Sequence, residues 1–162
     1  MPLTKVNSLM ADAGAVLQVV TSYTGSALTG TTILPNDDTI PQNDEGTEFL
    51  TCSITPKSAT SRLIVEVDIQ LSASTSAQVI AALFRDSTAG AVSAMQQYTG
   101  ANAQMFRMHL RINVAANSTN QTTFKVRVGP GTAATITLNG AGGNRLMGWV
   151  YNSGITITEV AV

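Results

Sequence analysis

The chain has 162 residues, a formal net charge of −1 and a pI near 5.7, with 12% charged and 44% hydrophobic side chains. That length fits a single core, no stretch approaches the roughly 20 consecutive apolar residues of a bilayer-spanning helix, and the balanced charge supplies no field to gather phosphate, which excludes nucleic acid as a partner. Charged residues stand at about half their usual share, and the abundant β-branched Thr favours strands over helices.

Residues 1–14 carry Pro2, Asn7, Ser8, Asp12 and Gly14 without periodicity and are too polar for the apolar region of a signal peptide. They read as an arm outside the core that orders on a partner, with Leu3, Val6, Leu9 and Met10 as its attachment contacts, on a protein made in a cytoplasm. Ala15-Val16-Leu17-Gln18-Val19-Val20 is almost continuously apolar and predicts a first strand that is central or covered on both faces. Residues 24–46 form a long loop punctuated by Gly25, Gly30, Pro35 and Pro41, with a short strand expected at Thr31–Leu34. The two prolines stiffen it, which suits contact with a neighbouring subunit. Its acids, Asp37, Asp38, Asp44 and Glu45 with nearby Glu48, lack the spacing of an EF-hand loop and read as solvated.

A strand at 47–54 holds Cys52, which fits a small buried residue, and ends in the turn Thr55-Pro56-Lys57-Ser58. The next strand, 62–72, alternates Leu63, Val65, Val67, Ile69 and Leu71 with Ile64, Glu66, Asp68 and Gln70, a period of two that gives one greasy and one wetted face. The same pattern returns at 104–114, where Phe106, Met108, Leu110, Ile112 and Val114 alternate with Arg107, His109, Arg111 and Asn113, and at 122–128, where Phe124, Val126 and Val128 alternate with Lys125 and Arg127. Further strands are expected at Gln78–Arg85, 91–97, Ala133–Leu138, Leu146–Tyr151 and Ile155–Val162, with a sharp break at Gly129-Pro130-Gly131. About ten strands with turn signals every ~8–12 residues describe an antiparallel β-sandwich, jelly roll or barrel.

Little is left over for chemistry. His109 has no carboxylate beside it in sequence to orient the imidazole, one His and one Cys do not assemble a closed zinc site, and no two acids stand in the facing arrangement of a glycosidase. The expectation is a protein that is not an enzyme and carries no cofactor or metal. Glu66 and Asp68, against Arg107, Arg111, Lys125 and Arg127, permit two readings: cross-strand pairs within one chain, or complementary faces that fix register between subunits. Trp149 and Tyr151, expected on one strand face, and Tyr98 are candidates for core, subunit interface or glycan contact.

Four segments in order, Gly14-Ala15-Val16-Leu17-Gln18-Val19-Val20, Ser53-Ile54-Thr55-Pro56-Lys57-Ser58-Ala59-Thr60-Ser61-Arg62-Leu63-Ile64-Val65, Ala82-Leu83-Phe84-Arg85-Asp86-Ser87 and Ile155-Thr156-Ile157-Thr158-Glu159-Val160, resemble a β-rich module of tail-fibre and other virion proteins of tailed bacteriophages. The resemblance implies a tumour-necrosis-factor-like jelly roll, commonly homotrimeric, with no catalytic residues to carry over. It places an attachment arm at 1–14 and a jelly-roll domain at 15–162, the whole serving as a capsid decoration, head fibre or short tail-fibre knob bound to a capsid or tail protein of the same virion. The short arm favours a compact knob over a long fibre. The alternative is a host receptor or carbohydrate-binding module that touches a host surface glycan through distal loops.

Overall fold

The computed structural model describes residues 12–162. They form twelve strands: β1 (Val16–Thr24), β2 (Leu28–Gly30), β3 (Thr47–Ile54), β4 (Arg62–Ala73), β5 (Ala77–Arg85), β6 (Ser93–Thr99), β7 (Phe106–Ala115), β8 (Thr122–Pro130), β9 (Ile136–Leu138), β10 (Gly140–Ala141), β11 (Asn144–Arg145) and β12 (Ser153–Val160). The eight long strands pair antiparallel in nested order, β1 with β12, β3 with β8, β4 with β7 and β5 with β6, which is jelly-roll wiring. One sheet runs β1-β12-β4-β7, and β9 continues along β4 at Leu71–Ala73 and carries β2. The other runs β3-β8-β5-β6.

The alternation read from the sequence sets the core between the sheets. Leu63, Val65, Val67, Ile69 and Leu71 of β4, Met108 and Leu110 of β7, Phe124, Val126 and Val128 of β8, and Ile155 and Ile157 of β12 are all buried, and Cys52 lies among them. At about 25 cal/mol per Å² of apolar surface removed from water, such layers supply most of the drive to fold.

Several local expectations are corrected. Among the described residues β1 is an edge strand bonded only to β12, and Val16 and Val19 are 60% and 55% exposed, so its apolar run does not mark a covered strand. Thr31–Leu34 is not a strand; the pairing segment lies just before it, at β2. The break at Gly129-Pro130 falls inside β8, where Pro130 stands opposite Val79 at the strand's end. Leu146–Tyr151 is irregular and holds one turn of 3-10 helix at Gly148–Val150, introduced by Met147 in the left-handed region at φ 51°.

The long loop folds onto its own molecule. Leu34 is fully buried with Ile80, Ala82 and Phe84, the outward side chains of β5, in a second small cluster on the outer face of β3-β8-β5-β6. Its backbone comes so near β8 that a Cβ on Gly129 would stand 2.6 Å from the Thr32 carbonyl oxygen. One sheet is thereby covered on its outside, and among the described residues the other remains open.

Candidate functional site

The open outer face belongs to β1-β12-β4-β7, and register places its side chains in rows. Thr21, Thr156, Glu66 and Arg111 form one row; Tyr23, Gly154, Asp68 and His109 form the next. A Cβ on Gly154 would stand 2.1 Å from the Tyr23 ring, so glycine there lets the ring lie across β12 and its hydroxyl meet Thr156 Oγ1 at 2.9 Å. Val19, exposed, and Ile64, half-buried, extend the same face.

The candidate charges on this face, Glu66, Asp68, Arg107 and Arg111, pair within the chain. Arg111 Nε lies 3.2 Å from Glu66 Oε1. Arg107 donates to Asp68 Oδ1 through Nε at 2.8 Å and also through its terminal nitrogen, and His109 Nδ1 lies 3.1 Å from the same oxygen. Burial pushes the Asp68 carboxyl up, but the hydrogen bonds from Arg107 and His109 and their charge outweigh it and hold it below the usual range. His109 therefore has the carboxylate that no sequence neighbour supplies, brought across from β4. The remaining two cations lie on the other sheet: Lys125 and Arg127 reach Glu48 at 3.5 and 3.7 Å, and Arg127 also donates to the Glu45 and Gly46 carbonyls.

The residue that sequence reading passed over is Glu159. It occupies the inward phase of β12 after Ile155 and Ile157 and is fully buried. Its Oε1 accepts from the Lys57 and Ser58 amides at 2.8 and 3.1 Å and from Ser61 Oγ at 2.6 Å, and its Oε2 from Gln18 Nε2 at 2.6 Å. Burial alone would raise the carboxyl; these donors outweigh it and keep the group below its ordinary value. A charged residue in phase with two buried isoleucines was the available signal. Three of the four segments singled out above, around Gln18, Lys57–Ser61 and Glu159, thus meet in one hydrogen-bonded knot. The fourth does similar work, since Arg85 donates to the Ala115 and Ala116 carbonyls and Asp86 accepts from the Thr123 amide.

Trp149 and Tyr151 share no strand face. Trp149, 61% exposed, packs against Gly25 with the Arg145 guanidinium 5.1 Å above its ring, while burial raises the half-buried Tyr151 phenol. Tyr98 stands elsewhere, on β6 at the margin of a cleft of about 380 Å³. A larger cleft, about 540 Å³, lies between the loop and β8 and is lined by Glu48, Asp86, Lys125 and Arg127 among others. The attachment contacts Leu3, Val6, Leu9 and Met10 lie outside the described residues, although Gly14, within the expected arm, already donates to the Ala161 carbonyl at 2.9 Å. No helix among the described residues is long and apolar enough to cross a membrane.

A family model described as the Pgp3 C-terminal domain matches residues 28–162; it is not the tail-fibre module that the four segments resemble, and it leaves β1 outside the match. No curated protein matches the chain. Among solved structures, that of the infectious bursal disease virus Gx strain is similar with a TM-score of 0.42 and 13% identity over 100% of this chain and 42% of that one. The VP2 subviral particle of the same virus gives 0.35 and 10% over 99% of this chain and 46% of that one. The chain thus spans less than half the length of those structures' chains.

Proposed function

The chain belongs to the family of the Pgp3 C-terminal domain, and we propose that it is a non-enzymatic structural module, a homotrimer that decorates a virion or forms a short fibre knob. The observation that carries the self-association is the open β1-β12-β4-β7 face. Among the described residues, its edge strand presents Val16, Val19 and Tyr23 to water and has no strand paired along its outer side. An exposed apolar edge is a hazard that natural sheets blunt with charge, proline or a covering element. Among the described residues β1 has none of these, and a neighbouring copy of the same face would cover it, with the Glu66/Arg111 and Asp68/Arg107 pairs fixing register.

The non-catalytic reading is supported by how the polar groups are spent. Among the described residues no hydroxyl or thiol is hydrogen-bonded to His109, Cys52 is sealed between the sheets with its thiol pushed up by burial, and Glu159 is committed to five donor contacts. Attachment to a capsid or tail protein falls to the N-terminal segment; the virion setting rests on the four-segment resemblance. Removing residues 2–11 tests it: the trimer is expected to persist while association with particles in co-sedimentation is lost. Retained association would refute the assignment.

A further inference from the structure

We propose that the cleft at the β5–β6 corner is a binding site for a neutral saccharide. This goes beyond the structural role and does not depend on it. The cleft collects residues from four separate segments. Gln78 and Tyr98 are direct cross-strand neighbours on β5 and β6. Asn36 comes from the loop that covers the sheet, Ser76 from the turn before β5, and Gly131 with Thr132 from the chain leaving β8.

Two observations select the ligand. First, Asn36, Ser76, Tyr98 and Thr132 are exposed and Gln78 is half-buried, so two amides and three hydroxyls line one cleft and stand open to water. The larger cleft is the opposite case: Lys125 and Arg127 are drawn to Glu48, Asp86 to Thr122 and Thr123, and Asn43 to the Thr88 carbonyl. Second, no charged residue lines the smaller cleft, and its one aromatic ring, Tyr98, is 57% exposed.

Amides donate and accept at once, which matches pairs of vicinal sugar hydroxyls, and an exposed ring takes the C–H face of a pyranose. Ligand sites of this kind combine an apolar wall with a few convergent polar groups. Gly131 keeps the floor open, since a Cβ there would stand 3.3 Å from Asn36 Cβ and 3.6 Å from Gln78 Cβ.

The test titrates the full chain with neutral gluco-, galacto- and N-acetylhexosamine oligosaccharides and with a sialylated counterpart, read by calorimetry and by amide NMR shifts. A neutral sugar is expected to bind and to shift the amides of Gln78, Tyr98 and Gly131. Tyr98→Ala, a change at an exposed position, is expected to weaken it about tenfold, the loss of one ring stack, whereas Tyr98→Phe retains most of the affinity and Trp149→Ala all of it. Circular dichroism and light scattering on each variant separate loss of the site from loss of fold or assembly. Absence of binding by every neutral sugar, tighter binding of the acidic one, or binding indifferent to both Tyr98→Ala and Gln78→Ala would overturn the assignment.

Discussion

Glu159 ties both chain ends of the domain to the turn before β4. A buried carboxylate is tolerable only when its lone pairs are met, and here two amides, a hydroxyl and a glutamine side chain meet them. Glu159→Gln keeps the shape but sets an NH2 group against backbone donors, so the expected loss is about 2–3 kcal/mol, the scale of hydrogen bonds to a charged group, measured by urea denaturation. Because the folded carboxyl lies below its ordinary value of 4.5, its contribution is complete above that pH and is lost as pH falls through the folded value. The wild-type midpoint is therefore expected to drop on acidification below about pH 4.3, and the Gln variant to show a shallower drop. Equal slopes would remove Glu159 as the acid-sensitive knot.

At the scale of the element, β5 explains both a success and a failure of sequence reading. Its residues are apolar on both faces, so it must be covered twice, and the cover is the loop that carries Leu34. Leu34→Ala is expected to cost about 2–5 kcal/mol, as for other buried leucines, and to open residues 35–45 to proteolysis before the core unfolds. Unchanged cleavage would show that Leu34 does not pin the loop. Strands with strict alternation, β4, β7 and β8, were legible because period two leaves one assignment of faces. β1 was misread because a continuous apolar run is equally the mark of a covered strand and of an edge awaiting a partner. Leu146–Tyr151 was misread because its apolar residues lack any period, and the left-handed Met147 is invisible to propensity.

For the whole molecule, the sandwich followed from strand spacing, but which sheet is covered did not, since that depends on a loop crossing in space. The charged residues were identified in sequence, yet their division between two sheets, Glu66, Asp68, Arg107 and Arg111 on the open one and Lys125 and Arg127 on the covered one, is a matter of topology. Tyr98 was legible in sequence as a candidate for glycan contact, but the cleft beside it was not, being assembled from four segments. The exposed ion pairs on the open face contribute roughly 0–1 kcal/mol each to the fold, so reversing Arg107 and Arg111 leaves the subunit folded while setting like charges at the face through which we propose that copies meet. Molar mass by light scattering is the most direct test of self-association through that face. The wild-type chain is expected at three times its 16.9 kDa, and the Arg107→Glu/Arg111→Glu variant at the mass of a single chain. A wild type that scatters as one chain, or a double variant that stays trimeric, would contradict it.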